Sequence, residues 1–190
     1  IVGGLALDAG TTSSFNTAIG VQALTTNILS NANVAVGNNA LATHNVASSG
    51  ASYNVAVGFN AGLQVTTGVR NTLIGGLAGD ALTTGDNNVA LGFNALSAET
   101  EGDRSVAIGT DALAAQNNSS DADADNIAIG FQAGVSISTG TRNVAIGSQA
   151  LDAADSDGRN VAIGYAALSA MNTGNSTPYN VAIGYTAGLA

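Results

Sequence analysis

The sequence contains no cysteine, and this absence excludes both disulfide bonds and thiolate metal sites. Basic residues are almost as scarce, since four arginines and no lysine stand against thirteen carboxylates, for a formal net charge of -9. Proteins that bind nucleic acid neutralise phosphates with basic side chains, so this composition argues against nucleic acid as a partner. We expect the acidity to serve solubility.

Large apolar side chains are also scarce, although apolar residues make up 45% of the chain. Aromatic residues account for only 4%, and much of the remainder is Ala, Val and Ile. The interior must therefore be narrow and filled by small groups, as in a thin coil. No apolar run approaches the roughly 20 residues that span a bilayer, so we expect no membrane insertion by this segment.

Glycine, by contrast, recurs at a nearly constant interval along the whole chain. The interval is 17 residues in most units, 21 in two and 20 in one. The recurring glycines are Gly3, Gly20, Gly37, Gly58, Gly75, Gly92, Gly109, Gly130, Gly147, Gly164 and Gly184. A fixed period that tolerates insertions is typical of stacked repeats. The sequence predicts a single array of eleven coils over residues 1–190, which we expect to belong to a longer fibre because neither end has a capping unit.

The four residues before each glycine read Asn, aliphatic, Ala, aliphatic in almost every unit, as in Asn126-Ile127-Ala128-Ile129. Branched residues at alternate positions predict a β-strand with an aliphatic row on one face and an alanine column, broken only by Leu73, on the other. Both faces are apolar, so both should be buried. The coil interior can bury one face, and only another chain can bury the other.

An alanine column allows close backbone approach, as expected near a rotation axis shared by identical subunits. We therefore predict homotrimer packing through this column. Its members are Ala18, Ala35, Ala56, Ala90, Ala107, Ala128, Ala145, Ala162 and Ala182.

Three further predictions concern the coil itself. A weaker apolar alternation after the glycine, as in residues 63–68, predicts a second short strand in each coil, and eleven stacked coils would form a rod of roughly 50 Å. The glycine should occupy a turn or a close backbone contact. The leading Asn either forms an amide ladder from coil to coil or makes local Asx-type turn contacts.

All eight aromatic residues fall in two columns. Phe59, Phe93, Phe131, Tyr165 and Tyr185 directly follow the glycine. Phe15, Tyr53 and Tyr179 lie five residues before it, in the column that also holds all four arginines. Such segregation indicates a shared environment. The two columns form either a packing surface between subunits or coils, or an exposed surface that recognises a sugar or a receptor, for which the first column is the candidate.

Few residues suggest catalytic or metal chemistry. His44 is the only histidine and lies in an insertion, where we expect it to face solvent. Asp121, Asp123 and Asp125 alternate like calcium ligands but lack the glycine and closing Glu of an EF-hand, so a solvated loop is the alternative. One aliphatic-Gly pair per 17 residues also differs from the six-residue turns of hexapeptide acyltransferases. We predict no enzyme activity and no cofactor.

The repeated motif, clearest at Asn126-Ile127-Ala128-Ile129-Gly130 and Asn160-Val161-Ala162-Ile163-Gly164, resembles the head repeats of trimeric autotransporter adhesins and similar repeats in phage tail fibres. The resemblance covers nearly the whole chain, although the 17-residue unit is longer than the usual head repeat. It implies a left-handed parallel β-roll, three chains around one axis, display on a cell or virion surface, and adhesion.

We therefore expect an extracellular, homotrimeric segment of an adhesin or tail fibre that attaches to a host-surface glycan or protein receptor. The insertions 42–53, 114–125 and 169–179 are polar and should be exposed loops that carry any adhesion. The alternative is a purely structural spacer without ligand-binding activity.

Overall fold

The chain forms a β-solenoid in a computed structural model that describes residues 2–10, 12–46, 50–118, 123–154, 156, 158–171 and 179–188. Within these residues, ten three-residue strands join in sequence order into one parallel sheet. The strands are β1 (Thr17–Ile19), β2 (Val34–Val36), β3 (Val55–Val57), β4 (Thr72–Ile74), β5 (Val89–Leu91), β6 (Val106–Ile108), β7 (Ile127–Ile129), β8 (Val144–Ile146), β9 (Val161–Ile163) and β10 (Val181–Ile183). The predicted all-β class and the parallel solenoid of 17-residue coils are confirmed.

The register keeps equivalent residues of successive coils in line. Ala18 pairs with Ala35, and Ala128 pairs with Ala145. The 21-residue coils preserve the same register, since Ala107 pairs with Ala128. The first repeat contributes only an isolated bridge between Val2 and Ile19. Insertions therefore leave the strand positions unchanged.

Each coil contains one strand, so the predicted second strand is wrong for the described residues. The segment after the glycine is a series of turns, in which Asn60 and Gly62 have φ values of 56° and 58°. A left-handed φ at every second position bends the backbone away from the extended form that a strand needs. Hydrogen bonds between coils continue through this segment, for example from the Gln64 N–H to the Asp80 carbonyl at 3.1 Å.

The alanine column faces the inside of its own coil. Eight of its nine members have no exposed surface in the single chain, and Ala182 is 9% exposed. Side chains without exposed surface cannot contact another chain, so the assignment of these alanines to trimer packing is corrected. The outward face of the sheet is the row of Val, Ile, Leu and Thr residues on either side of each alanine.

Interior volume is shared between neighbouring columns. Most coils place a buried leucine four residues after the glycine, as at Leu96 and Leu113, whereas four coils have glycine there, at Gly62, Gly79, Gly134 and Gly188. Leu73 fills the space beside Gly62 and Gly79 from the alanine column, because a Cβ at either of these two glycines would lie 2.8 Å from a Leu73 methyl carbon. A bulky residue in one column therefore compensates for a small residue in the neighbouring column, so the filled interior volume stays constant, as close packing requires.

The glycine that follows each of β1 to β9 lies in a stack where a side chain has no room. Gly92 has a φ of 142°, and a Cβ there would lie 2.5 Å from the Gly109 carbonyl oxygen. The predicted close backbone contact is confirmed, and left-handed geometry adds a second requirement for glycine.

The leading asparagines form the predicted ladder. The side-chain oxygen of Asn33 accepts from the Asn54 backbone N–H at 3.0 Å, and Asn54 relates to Asn71 in the same way at 2.9 Å. The Asn54 amide nitrogen donates to the Gly68 carbonyl at 2.8 Å. Most rungs thus join a side chain to the backbone of the next coil, so each Asn connects two coils inside a buried column.

Candidate functional surface

The sheet presents a continuous apolar surface to solvent, which we call the outer face. It consists of the first and third residues of β1 to β10, and these residues are half-buried or exposed. Ile129, in the middle of the sheet, is 37% exposed. An apolar surface of this extent on a folded chain typically marks a contact with a partner.

An aromatic row borders the outer face on the side where each strand ends. Its members, Phe59, Phe93, Phe131, Tyr165 and Tyr185, are between 47% and 77% exposed. From Phe59 to Tyr165 they occupy alternate coils, and the coils between them carry Gly76, Thr110 and Ser148. Part of Phe93 lies over Gly76, where an added Cβ would be 3.5 Å from its ring. The row is thus a series of aromatic ridges separated by small residues.

The opposite border, before each strand, is the arginine edge. It holds Phe15, Tyr53, Arg70, Arg104, Arg142, Arg159 and Tyr179, all with left-handed φ values between 49° and 62°. Phe15 is 90% exposed, and the side chains of Arg70, Arg104 and Arg142 are about half-exposed. The two columns therefore lie at opposite borders of one face, which corrects the prediction of one shared environment.

Carboxylates neutralise part of the arginine edge. Arg104 forms ion pairs with Asp123 and with Asp125, the latter at 3.1 Å. Arg70 Nε donates to the Asn87 side-chain oxygen at 2.7 Å, in the next coil of the same column. The Arg159 guanidinium lies 5.4 Å from the centre of the Tyr179 ring, which is a cation–π geometry.

These ion pairs bear on the candidate calcium ligands Asp121, Asp123 and Asp125. Asp123 and Asp125 face Arg104, whose charge opposes a cation, and Asp121 lies outside the described residues. The described residues contain no group of three His, Cys, Asp or Glu side chains that could hold a metal ion.

His44 does not face solvent, which corrects the sequence prediction. It is fully buried, and its Nε2 lies 3.4 Å from the amide nitrogen of Asn54. Burial lowers the pKa of His44 to about 4, because the interior disfavours the imidazolium. His44 occupies the interior column seven residues after the glycine, where other coils carry Val65 or Leu82.

The same interior column holds a buried carboxylate that sequence reasoning missed. The Glu99 Oε1 atom accepts from the backbone N–H groups of Thr100 at 2.9 Å, Gly102 at 2.8 Å and Asn118 at 3.1 Å. Glu99 Oε2 accepts from Gln116 Nε2 at 2.8 Å. Alignment on the glycine could have identified Glu99 and Gln116, since both stand where an aliphatic residue is found in other coils.

The insertions are only partly exposed. Residues 47–49, 119–122 and 172–178 lie outside the described residues. Next to them, His44, Ser52, Gln116, Asn118 and Ala124 are buried, which corrects the prediction of wholly exposed loops. The first two insertions return to the solenoid through isolated bridges, between Asn31 and Ala51 and between Asp103 and Asp123.

Among the described residues, no helix is long and apolar enough to cross a membrane. Comparison of the chain with protein-family models, with curated proteins and with solved structures finds no match.

Proposed function

We propose that this chain is a non-enzymatic segment of a trimeric, extracellular surface fibre that takes part in attachment of a bacterial cell or a phage to its target. The observation that carries the proposal is the exposed outer face. A chain that keeps this surface exposed would be prone to associate, so a partner that covers it along its whole length is expected.

The dimensions of the outer face suit association between identical chains. Ten strands at 4.8 Å spacing extend over roughly 43 Å, and the face with both borders is roughly 20 Å wide. The resulting area, on the order of 800 Å² per chain, equals what one partner contributes to a standard interface, and in a trimer it is divided between two neighbours. The resemblance to adhesin heads and tail fibres supplies the number of chains, three, and the left-handed coil.

A partner of the same sequence also fits the regularity of the face. Its rows repeat at every coil, so a surface with the same repeat can match it over the full length. A cyclic arrangement around an axis parallel to the fibre provides that match, because equivalent coils of all chains then lie at the same height.

Sedimentation equilibrium of the segment tests the assembly. We expect a mass three times the 18.4 kDa of the chain. Ile129→Glu should prevent trimer formation, because it places an unpaired charge in the interface. Gln132→Glu, in the same coil but outside the outer face, is the matched control and should leave the trimer intact. A folded monomer of the unchanged chain at micromolar concentration would contradict the proposal.

Attachment requires a separate measurement. If the segment is adhesive, the trimer should bind one or more members of a glycan array or a host-surface protein, and shortening the insertion at 47–49 or 119–122 should reduce binding before it reduces thermal stability. A structural spacer is the second candidate. A folded trimer that binds neither glycans nor host-surface proteins would favour it.

A further inference from the structure

We infer that neighbouring chains of the fibre interlock at their borders, with the arginine edge of one chain inserted between the aromatic ridges of the next. This inference rests on the proposed trimer and specifies which side chains meet in it. The occupant of the aromatic row is then a second copy of the chain.

Symmetry determines which borders meet. Rotation about an axis parallel to the fibre brings the border that precedes the strands of one chain against the border that follows the strands of the next chain. The contact therefore joins unlike surfaces. The aromatic row of one chain therefore faces the arginine edge of its neighbour. Equivalent coils remain at equal height, which fixes the partners coil by coil.

The two borders are complementary in size at equal height. Arg70 belongs to the coil that carries Gly76 in the aromatic row, and Arg104 belongs to the coil that carries Thr110. Arg142 repeats the pattern in the coil that carries Ser148. Each of these arginines would meet a small residue of the neighbouring chain, with an aromatic ring one coil above and another one coil below, each at roughly 4.8 Å along the fibre.

The reverse relation holds in the coils between them. Phe93 shares its coil with Asn87 on the arginine edge, and Phe131 shares its coil with Asp125. Arg70, Arg104 and Arg142 thus stand at the heights where the neighbour offers a gap, and shorter side chains stand where it offers a ring. The alternation holds over the five coils from Arg70 to Ser148 and ends on either side of them, where Tyr53 shares a coil with Phe59 and Arg159 shares a coil with Tyr165.

The chemistry of the pairing follows from the planar guanidinium group. Its edge donates hydrogen bonds to carboxylates, as Arg104 does to Asp125, while its faces remain free to stack on aromatic rings. Arg159 and Tyr179 already form such a contact within the chain. Insertion between two rings would desolvate the guanidinium faces, and the paired carboxylates compensate the charge.

Engineered disulfides test the interlock directly, because the chain has no cysteine of its own. The double variant Arg104→Cys/Thr110→Cys places the two thiols in the same coil. Within one chain they lie six residues apart on an extended segment, roughly 20 Å, which is too far for a disulfide. Between neighbouring chains they would be in contact, so oxidation should give a covalent trimer on a non-reducing gel.

Arg104→Cys/Ser148→Cys is the matched control, since its thiols are two coils apart, at roughly 9.6 Å along the fibre. This variant should not form a covalent trimer, and neither should the two single variants. A second measurement does not depend on cysteine. Phe93→Ala and Arg104→Lys should each raise the trimer dissociation constant by at least roughly fivefold, because each removes stacking between chains.

The outcomes separate this inference from the proposed function. The chain could sediment as a trimer while Arg104→Cys/Thr110→Cys forms no covalent trimer, or while Arg104→Cys/Ser148→Cys forms one equally well. Either result would overturn the interlock but not the trimer. A folded monomer would overturn both. If Phe93→Ala abolishes binding of a glycan without weakening the trimer, the aromatic row is a ligand surface and the interlock is wrong.

Discussion

Gln116 Nε2 donates a hydrogen bond of 2.8 Å to Glu99 Oε2 inside the solenoid, one coil further along the same interior column. Gln116 also donates to the Ser105 hydroxyl at 2.9 Å and accepts from Asn126 Nδ2 at 2.8 Å. Ser105 stands where most other strands are preceded by Asn, and its side chain is too short to continue the ladder. Gln116 therefore bridges the interruption in the ladder.

We predict that Glu99→Leu destabilises the fold by about 3 kcal/mol or more, since it leaves several buried N–H donors without an acceptor. Leucine is present at the equivalent position 82, so size alone does not forbid it. The midpoint of chemical denaturation at fixed chain concentration measures the effect. Leu82→Met is the control and should cost less than about 1.5 kcal/mol. Equal midpoints for the two variants would contradict a structural role of the Glu99 carboxylate.

His44 predicts a loss of stability in mild acid. Burial lowers its pKa from the ordinary 6.5 to about 4. Between these two pH values His44 is therefore neutral in the folded chain and protonated in the unfolded chain. The contribution of neutral His44 to the free energy of unfolding is complete above pH 6.5 and decreases as the pH falls toward 4. The total loss is about 3 kcal/mol. Denaturation midpoints between pH 7 and pH 4 measure this slope.

His44→Gln is the matched variant for that slope, because Gln116 occupies the equivalent position in the other 21-residue coil and accepts from the following Asn. It should not show the His44 loss over the same window. Burial raises the pKa of Asp80 and of Asp152 above the ordinary 3.8, so both proteins gain stability as the pH falls through those raised values. The difference between the two curves therefore isolates His44, and parallel curves would show that His44 does not titrate as inferred.

Neighbouring glycines provide a test of the glycine stack. Gly75→Ala should destabilise the fold by several kcal/mol, because its φ is 137° and a Cβ would lie 2.3 Å from the Gly92 carbonyl oxygen. Gly76→Ala, one residue later, meets nothing closer than 3.5 Å and should be tolerated. Thermal melting of the two variants gives the comparison. Similar melting temperatures would mean that the stack adjusts to a side chain.

The features that repeat were predictable from the sequence, and the exceptions were not. The period, the strand and the glycine stack follow from residues that recur in every coil. The direction of the alanine column did not follow, because a strand with two apolar faces can bury either one until the interior width is known. His44 was misplaced because it was assigned to the insertion 42–53, whereas its distance from Gly37 places it in an interior column.

Leu73 provides the last prediction, in which a change toward the consensus is harmful. Leu73→Ala restores the residue found at this position in the other strands. It should nevertheless destabilise the fold by about 2 to 5 kcal/mol, because Gly62 and Gly79 cannot fill the space that the Leu73 methyl groups leave.

The double variant Leu73→Ala/Gly79→Leu should recover much of that loss. Gly79 has a φ of 55°, the same value as Leu96 at the equivalent position of the next coil, so a leucine there adopts a backbone that this fold already gives to leucine. The new side chain would fill the cavity from the neighbouring column. Chemical denaturation of the wild type, both single variants and the double variant gives the coupling free energy between the two positions. A coupling near zero would show that the two columns do not share volume, whereas a favourable coupling of about 2 kcal/mol or more is expected if cavity filling governs the interior.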